Sequence, residues 1–322
     1  MKHIYCERPN LIAMYKALER RLPQQHPMLE KVQTQLKREI AGEKGQQALK
    51  FPLSFHFTST SSPIILHNLR LEDENGFFEI DALLICEQFI VLLEAKNWYG
   101  TLYVDGERQV IRVGDDNMEE GMPNPFSQVK LQKHRLQKYL LLYFPKLKLP
   151  IFYFIVLGFP TTIVKAFNPT QDIPGQLIHS HELPWKLQML SEASPALAAS
   201  SIDIDHMIKK LLVAHVPDPT NMLERFPLTV QDLIKGVFCS KCHVPKMNKS
   251  QKGWLCTKCQ HLSKDAHIQT LLDFQLLLGK RITNQQARAF LNMTSSHAVK
   301  RILQKAGSAV GRTRARVYEL NL

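Results

Sequence analysis

Residues 79–96, EIDALLICEQFIVLLEAK, hold two apolar runs on either side of Glu87-Gln88. Apolar runs of this length around a two-residue break predict an antiparallel hairpin. In that register Cys86 opposes Phe89, Asp81 opposes Glu94, and Glu79 opposes Lys96. Side chains alternate along a strand, so each face can be read separately. One face carries Ile80/Ala95, Ala82/Leu93, Leu84/Val91 and Cys86/Phe89, all apolar. The other is apolar near the turn, at Ile85/Ile90 and Leu83/Leu92, and charged at the far end, at Asp81/Glu94 and Glu79/Lys96. Two carboxylates directly opposite repel unless something compensates them. A divalent cation such as Mg²⁺ or Mn²⁺ does so, and a neighbouring lysine can orient or deprotonate a water there.

A helical pattern runs from Pro9 to about Lys50, with Leu29, Val32, Leu36 and Ile40 on one stripe. From Phe51 to Val113 the texture is short β-rich runs: PLSFHF, PIILHNL, EIDALLIC, FIVLLEAK, GTLYV and RQVIRV. A polar loop, GDDNMEEGMPNP, precedes a helix over about 126–143 and a further strand, IFYFIVLGF. Helix, strands, helix, strand predicts an α/β fold with a mixed sheet flanked by helices. Residues 166–230 are expected to be mostly irregular, with a helix near 202–213. The acidic cluster Asp115, Asp116, Glu119 and Glu120 reads as a solvated loop. His134 lies in a basic helix face with Lys130, Lys133, Arg135 and Lys138, expected to be solvated surface.

Asp81 with Glu94-Ala95-Lys96 resembles the core of the PD-(D/E)xK nucleases, and the surrounding residues resemble the nuclease-related domain (NERD) family within them. Gly42-Glu43-Lys44-Gly45-Gln46 is similar to that family's G-E-x-G-E helix motif. Glu79-Ile80-Asp81 through Glu94-Ala95-Lys96-Asn97 and Gly100 is similar to its I-D…E-x-K-N…G block. Asn124-Pro125-Phe126-Ser127-Gln128 is similar to its N-P-x-x-Q helix start. The resemblance spans roughly residues 38–145 and implies a restriction-endonuclease-like sheet. It implies that Asp81 and Glu94 hold the metal, that Lys96 serves the attacking water, that Glu43 adds a carboxylate, and that Gln128 sits near the scissile phosphate. The second acid of the helix motif is Gln46 here. That departure opens the alternative of a catalytically lapsed nuclease fold that binds nucleic acid or recruits a protein.

Cys239-x2-Cys242 and Cys256-x2-Cys259 are separated by 13 residues. Two such knuckles supply four thiolates for a closed, tetrahedral, structural Zn²⁺ site, a zinc ribbon. His243 and His261 are adjacent but not needed as ligands. Residues 280–322 read as a helix-turn-helix with a winged-helix-like end. Thr283-x-x-Gln286 is a capping box, Asn292–Ser295 a turn, and Gly307 a helix end. The second helix faces Val299, Ile302 and Leu303 inward and Lys300, Arg301 and Lys305 outward. In the tail, Arg312, Arg314 and Arg316 share one face of an expected strand. These six basic residues are the expected nucleic-acid contacts.

Charge distribution supports such a grip. Residues 231–322 hold 16 Lys and Arg against 4 Asp and Glu, while the first 230 residues hold 25 of each. The whole excess of +12 thus lies on the last part of the chain, as expected of a polyanion-binding appendage. Expected boundaries are 1–230 for the nuclease-like domain with its helical extension, 231–264 for the ribbon and 265–322 for the basic module. No run reaches the ~18 apolar residues of a membrane span, no secretory signal opens the chain, and four of the six cysteines cluster, so a cytoplasmic protein without a disulfide framework is expected. The expected partner is nucleic acid, DNA before RNA, with a protein partner of the C-terminal module as the rival.

Overall fold

The computed structural model describes residues 1–55, 62–146, 149–194, 201–311 and 316–322. It comprises two compact units, Met1–Pro9 with Ile40–Asp218, and Asn10–Glu39 with Pro219–Leu322. This division differs from the linear boundaries expected at 230 and 264, because Asn10–Glu39 counts with the C-terminal residues.

The chain opens with β1 (Lys2–Tyr5), α1 (Leu11–Arg21) and α2 (Leu29–Ala48), so the single expected helical stretch is two helices parted around Pro23 and Pro27. Next come β2 (Ile64–Asp73), β3 (Gly76–Ile85), β4 (Ile90–Lys96), β5 (Thr101–Asp105), β6 (Gln109–Val113) and β7 (Glu119–Met122). They are followed by α3 (Pro125–Tyr143), β8 (Ile151–Leu157), β9 (Ile163–Ala166), β10 (Leu177–His179), α4 (Leu183–Ala193) and α5 (Ser201–Ala214). Three expectations change here. Pro52–Ser54 is a 3-10 turn rather than part of a strand, and residues 56–57 of that run lie outside the described residues. The acidic loop contains β7, where Glu120 pairs with Arg112. Residues 166–194 hold β10 and α4 instead of irregular chain.

In the first unit a six-stranded mixed sheet runs β1-β2-β3-β4-β8-β10. The β2-β3-β4 meander is antiparallel, and β4-β8-β10 is parallel. Strands β3 and β4 pair Ala82 with Leu93 through Ile85 with Ile90, the expected register. One face packs Leu83, Ile85, Ile90 and Leu92 against Phe126, Val129 and Leu136 of α3 and Met207 and Leu211 of α5. The other packs Ala82, Leu84, Val91 and Leu93 against Leu49, Leu53, and Leu183 and Leu187 of α4. Each fully buried leucine contributes roughly 1.5–3 kcal/mol of transfer free energy, so the sheet centre anchors the unit. A second sheet, β7-β6-β5-β9, sends Leu102, Val104 and Val110 into the first of these two cores.

Near Asp81 the alternation slips. Leu66 and Leu69 share a core, and so do Ile80 and Leu83, although residues three apart on a regular strand face opposite ways. Asn68, across from Asp81 between the pairs His67/Ala82 and Leu69/Ile80, adopts a left-handed φ of 55°. Ile80 therefore lies in the α3-side core and not on the Ala82 face with Ala95. Glu79 likewise pairs with Arg70 at 3.3 Å, not with Lys96.

The second unit contains α1, α6 (Met222–Arg225), a three-stranded sheet β11 (Met247–Lys249), β12 (Trp254–Cys256) and β13 (Leu262–Ser263), and then α7 (Ala266–Leu278). It ends in β14 (Arg281–Thr283), α8 (Asn284–Leu291), α9 (Ser296–Ala306), β15 (Gly307–Val310) and β16 (Val317–Leu320), with a three-stranded sheet ordered β14-β16-β15. At its centre the fully buried Arg21 donates to Asp273 at 2.7 Å and to the carbonyls of Ile234 and Gly236. Its guanidinium lies 4.6 Å from the Phe238 ring centroid and 4.9 Å from that of Phe290. A buried charge is tolerable only when paired and hydrogen-bonded in this way. The Thr283/Gln286 capping box forms, and Asn292 closes α8 with φ 55°. Gly307 follows α9 in extended backbone and starts β15, where a Cβ would meet the Glu319 carbonyl oxygen at 2.0 Å, so the strand can approach β16 only without a side chain there.

Candidate functional site

Ladder pairing between β3 and β4 runs from Ile85/Ile90 to Ala82/Leu93, and the next position is Asp81. There the side chain replaces the strand partner: Asp81 Oδ2 accepts the Ala95 N–H at 2.9 Å. Its other oxygen, Oδ1, accepts from the Gln46 amide at 2.8 Å. Gln46 reaches this point because α2 ends close against the strands. A Cβ at Gly158 would meet Ala48 Cβ at 2.8 Å, and one at Gly45 would meet Asn97 Cβ at 3.2 Å. Glycine at both positions lets the helix approach, which explains Gly45 in the Gly42–Gln46 segment.

Glu94 is buried, and both of its oxygens accept hydrogen bonds. Its Oε1 accepts from Lys96 Nζ and from Gln128 Nε2, each at 2.7 Å, and its Oε2 accepts from Gln132 Nε2 at 3.1 Å. Lys96 Nζ also donates to Gln128 Oε1 at 2.9 Å. Gln128 is placed by the start of α3, where Asn124 caps the helix by accepting the Ser127 N–H and Pro125 fits the first turn. Asp81, Glu94, Lys96 and Gln128 thus meet at one end of β3, β4 and α3. Glu43 stands one step away. It pairs with Arg8 and accepts from Gln47, while Arg8 also donates to Gln46 Oε1 at 2.8 Å. An unbroken chain of hydrogen bonds runs Glu43–Arg8–Gln46–Asp81.

Burial, and then the Glu94 carboxylate, push the Asp81 carboxyl up to about 7. Donors from Ala95, Gln46 and Lys96 pull the other way without cancelling this. A divalent cation would relieve this pairing of buried carboxylates, and Asp81 and Glu94 could hold Mg²⁺ or Mn²⁺. Among the described residues, Asp115, Asp116, Glu119 and Glu120 form no metal-holding group. The expected basic face of α3 is largely spoken for. Lys130 pairs with Glu107, Lys138 with Glu74, and Arg135 is buried on Asp73, Phe77 O and Gly76 O.

Two members escaped the sequence reading. Gln132 lies four residues after Gln128, on the same helix face, and an amide repeated at that spacing among apolar positions is a legible signal. Arg8 gives none, since its partners lie 35 and 38 residues further on.

The four cysteines form a second centre, their Sγ atoms all within 4.8 Å of one another. Both knuckles have one geometry. His243 N donates to Cys239 O and Gln260 N to Cys256 O, at 2.9 and 3.0 Å, with φ of 55° and 58°. Cys239 N donates to Val244 O and Cys256 N to His261 O, both at 2.9 Å. The backbone N–H groups of Cys259 and Lys258 bring the Cys256 thiol down to about 6. Burial and the other thiols push Cys242 up to about 12. Four thiolates this close need a cation, and the set can hold Zn²⁺. His261 bonds Ser240 instead, at 3.1 Å. Lys300, Arg301 and Lys305 are exposed on α9, Arg316 is half-buried just before β16, and Arg312 and Arg314 lie outside the described residues.

Residues 41–158 match the family model described as the nuclease-related domain, NERD. That stretch is similar to the domain and contains Glu43, Gln46, Asp81, Glu94, Lys96, Gln128 and Gln132. Comparison with curated proteins and with solved structures gives no match. No helix among the described residues is long and apolar enough to cross a membrane.

Proposed function

We propose that the protein is a metal-dependent nuclease of the PD-(D/E)xK kind that hydrolyses phosphodiester bonds, with DNA as its substrate. The observation that carries this reading is the meeting of Asp81, Glu94 and Lys96 within the nuclease-related stretch. Asp81 and Glu94 would hold Mg²⁺ or Mn²⁺, which when bound supplies charge neutralisation and Lewis-acid polarisation at the phosphodiester. Gln128 and Gln132 fix both oxygens of Glu94. Lys96, held between Glu94 and Gln128, presents an ammonium that can orient the attacking water and offset negative charge developing on the phosphate. Arg8 fixes the amide of Gln46 with its N–H toward Asp81.

The basic C-terminal residues supply the grip. The order α7-β14-α8-α9-β15-β16, with exposed Lys300, Arg301 and Lys305 on the last helix, supports a winged-helix module beside a structural zinc ribbon. A second reading, a lapsed nuclease that binds without cutting, is favoured by one observation. Gln46 places an amide on Asp81 where the resembled motif has an acid. Metal-dependent cleavage by the wild-type chain, compared with Asp81→Ala and Lys96→Ala, decides between them.

A further inference from the structure

Just past the candidate site two connectors run side by side. Lys96 pairs with Leu157 at the end of the β4/β8 ladder, and Thr101 pairs with Ile163 at the start of β5/β9. Between them the connectors are tied by Gly158 N–H to Lys96 O at 2.8 Å, Thr162 Oγ1 to Trp98 O at 2.5 Å, and Ile163 N–H to Gly100 O at 3.0 Å. Gly100, with φ 88°, has no room for a side chain, since a Cβ would lie 2.3 Å from Val113 O. The connectors are thus held in one conformation.

They carry two exposed rings. Tyr99 is 41% and Phe159 38% exposed. Their centroids lie 6.3 Å apart at an interplanar angle of 58°. The Arg112 guanidinium lies 4.6 Å from the Tyr99 centroid, held by Glu120. Arg112 is two residues on from Val110, on the strand face that enters the core shared with Leu92, and Glu94 is two residues on from Leu92. Tyr99 follows Lys96 by three residues, and Phe159 follows Leu157, the ladder partner of Lys96, by two, so both rings lie just past the candidate site.

We infer that Tyr99 and Phe159, with Arg112 behind Tyr99, form a stacking platform for the base of an unpaired nucleotide adjoining the scissile phosphate. The inference rests on the nuclease reading and deepens it, because it names single-stranded nucleic acid, or a frayed or flapped end, as the substrate class. A base offers its flat face to an aromatic ring only when it is not stacked within a duplex, whereas every base has such a face once unpaired. Arg112, itself paired with Glu120, stacks behind the Tyr99 ring and holds it in place.

The test uses the full chain in EDTA, so that binding is read without cleavage. A short single-stranded DNA carrying one 5-iodouracil is photo-crosslinked and the attachment mapped by mass spectrometry. The affinities of the same strand and of its duplex are measured for wild type, for Tyr99→Ala/Phe159→Ala, and for the conservative Tyr99→Phe/Phe159→Tyr. The platform predicts crosslinks at Tyr99 or Phe159. It also predicts a loss of about tenfold or more in single-strand affinity for the alanine pair, near-wild-type binding for the conservative pair, and little change for duplex. Crosslinks confined to residues 219–322, or equal losses for single strand and duplex, overturn it. Should the alanine pair fail to fold, the wild-type crosslink map still decides. Binding through these rings without metal-dependent cleavage would sink the nuclease reading alone, and cleavage without these crosslinks would sink the platform alone.

Discussion

The side-chain amide of Gln46 donates to Oδ1 of Asp81 at 2.8 Å, while its own oxygen accepts from Arg8 at 2.8 Å. Arg8 thereby fixes which end of the amide faces the carboxylate. Arg8→Ala is expected to lower cleavage by about tenfold with little change in melting temperature, because a partly exposed ion pair such as Arg8–Glu43 contributes only about 0–1 kcal/mol. Gln46→Glu removes the donor and adds a third carboxylate. Its metal-free form should melt lower than wild type, and Mn²⁺ should raise its melting temperature more. Equal metal-induced shifts would contradict this role. Cleavage gained only in Gln46→Glu would mark the natural chain as lapsed.

The raised Asp81 carboxyl makes stability pH-dependent. Its native value of about 7 stands above the 3.8 of an ordinary aspartate, so between those values the native state holds a proton that the unfolded chain has released. Stability of the metal-free protein from this group is therefore full below about pH 4 and declines as pH rises toward about 7. Thermal melts in EDTA should show a decline from pH 5.5 to 7.5 that is shallower in Asp81→Asn and is reduced by Mg²⁺. Identical slopes for wild type and Asp81→Asn would contradict it.

For the cysteine centre the expected content is one zinc per chain. Cys239→Ser or Cys256→Ser should lose the metal and open residues 237–263 to proteolysis, since a hairpin this small draws most of its folding free energy from the metal. A metal-free chain that stays protease-resistant across this segment would contradict the assignment.

On α9, replacing Lys300, Arg301 and Lys305 together by alanine should weaken DNA binding and reduce the slope of log K against log salt by about 3, near one per phosphate contact. An unchanged slope would point to a protein partner for this module.

Much of this was legible in the sequence. Register across Glu87-Gln88 follows from two apolar runs and a minimal turn, and the ladder Ala82/Leu93 to Ile85/Ile90 agrees with it. The cysteine spacing and the Thr283/Gln286 cap are short-range chemistry and read directly. What could not be read depends on distant chain. The slip at Asn68, which moves Ile80 to the other core, needs a left-handed residue on a neighbouring strand. Arg8 reaches Gln46 and Glu43 only after the sheet and α2 have formed. Strand β7 hides in an acidic, glycine-containing segment whose propensity is poor, and it forms because β6 offers an edge to pair with.

The central claim is most directly tested by cleavage of plasmid and single-stranded DNA with Mg²⁺ or Mn²⁺, comparing wild type with Asp81→Ala and Lys96→Ala. Wild type is expected to cut in a metal-dependent way, and each substitution to reduce cutting at least 100-fold, roughly the 2.7 kcal/mol or more lost when an electrostatic catalytic group is removed. Cutting that survives both substitutions, or a wild type that binds DNA in a salt-sensitive way and never cuts it, would contradict the account.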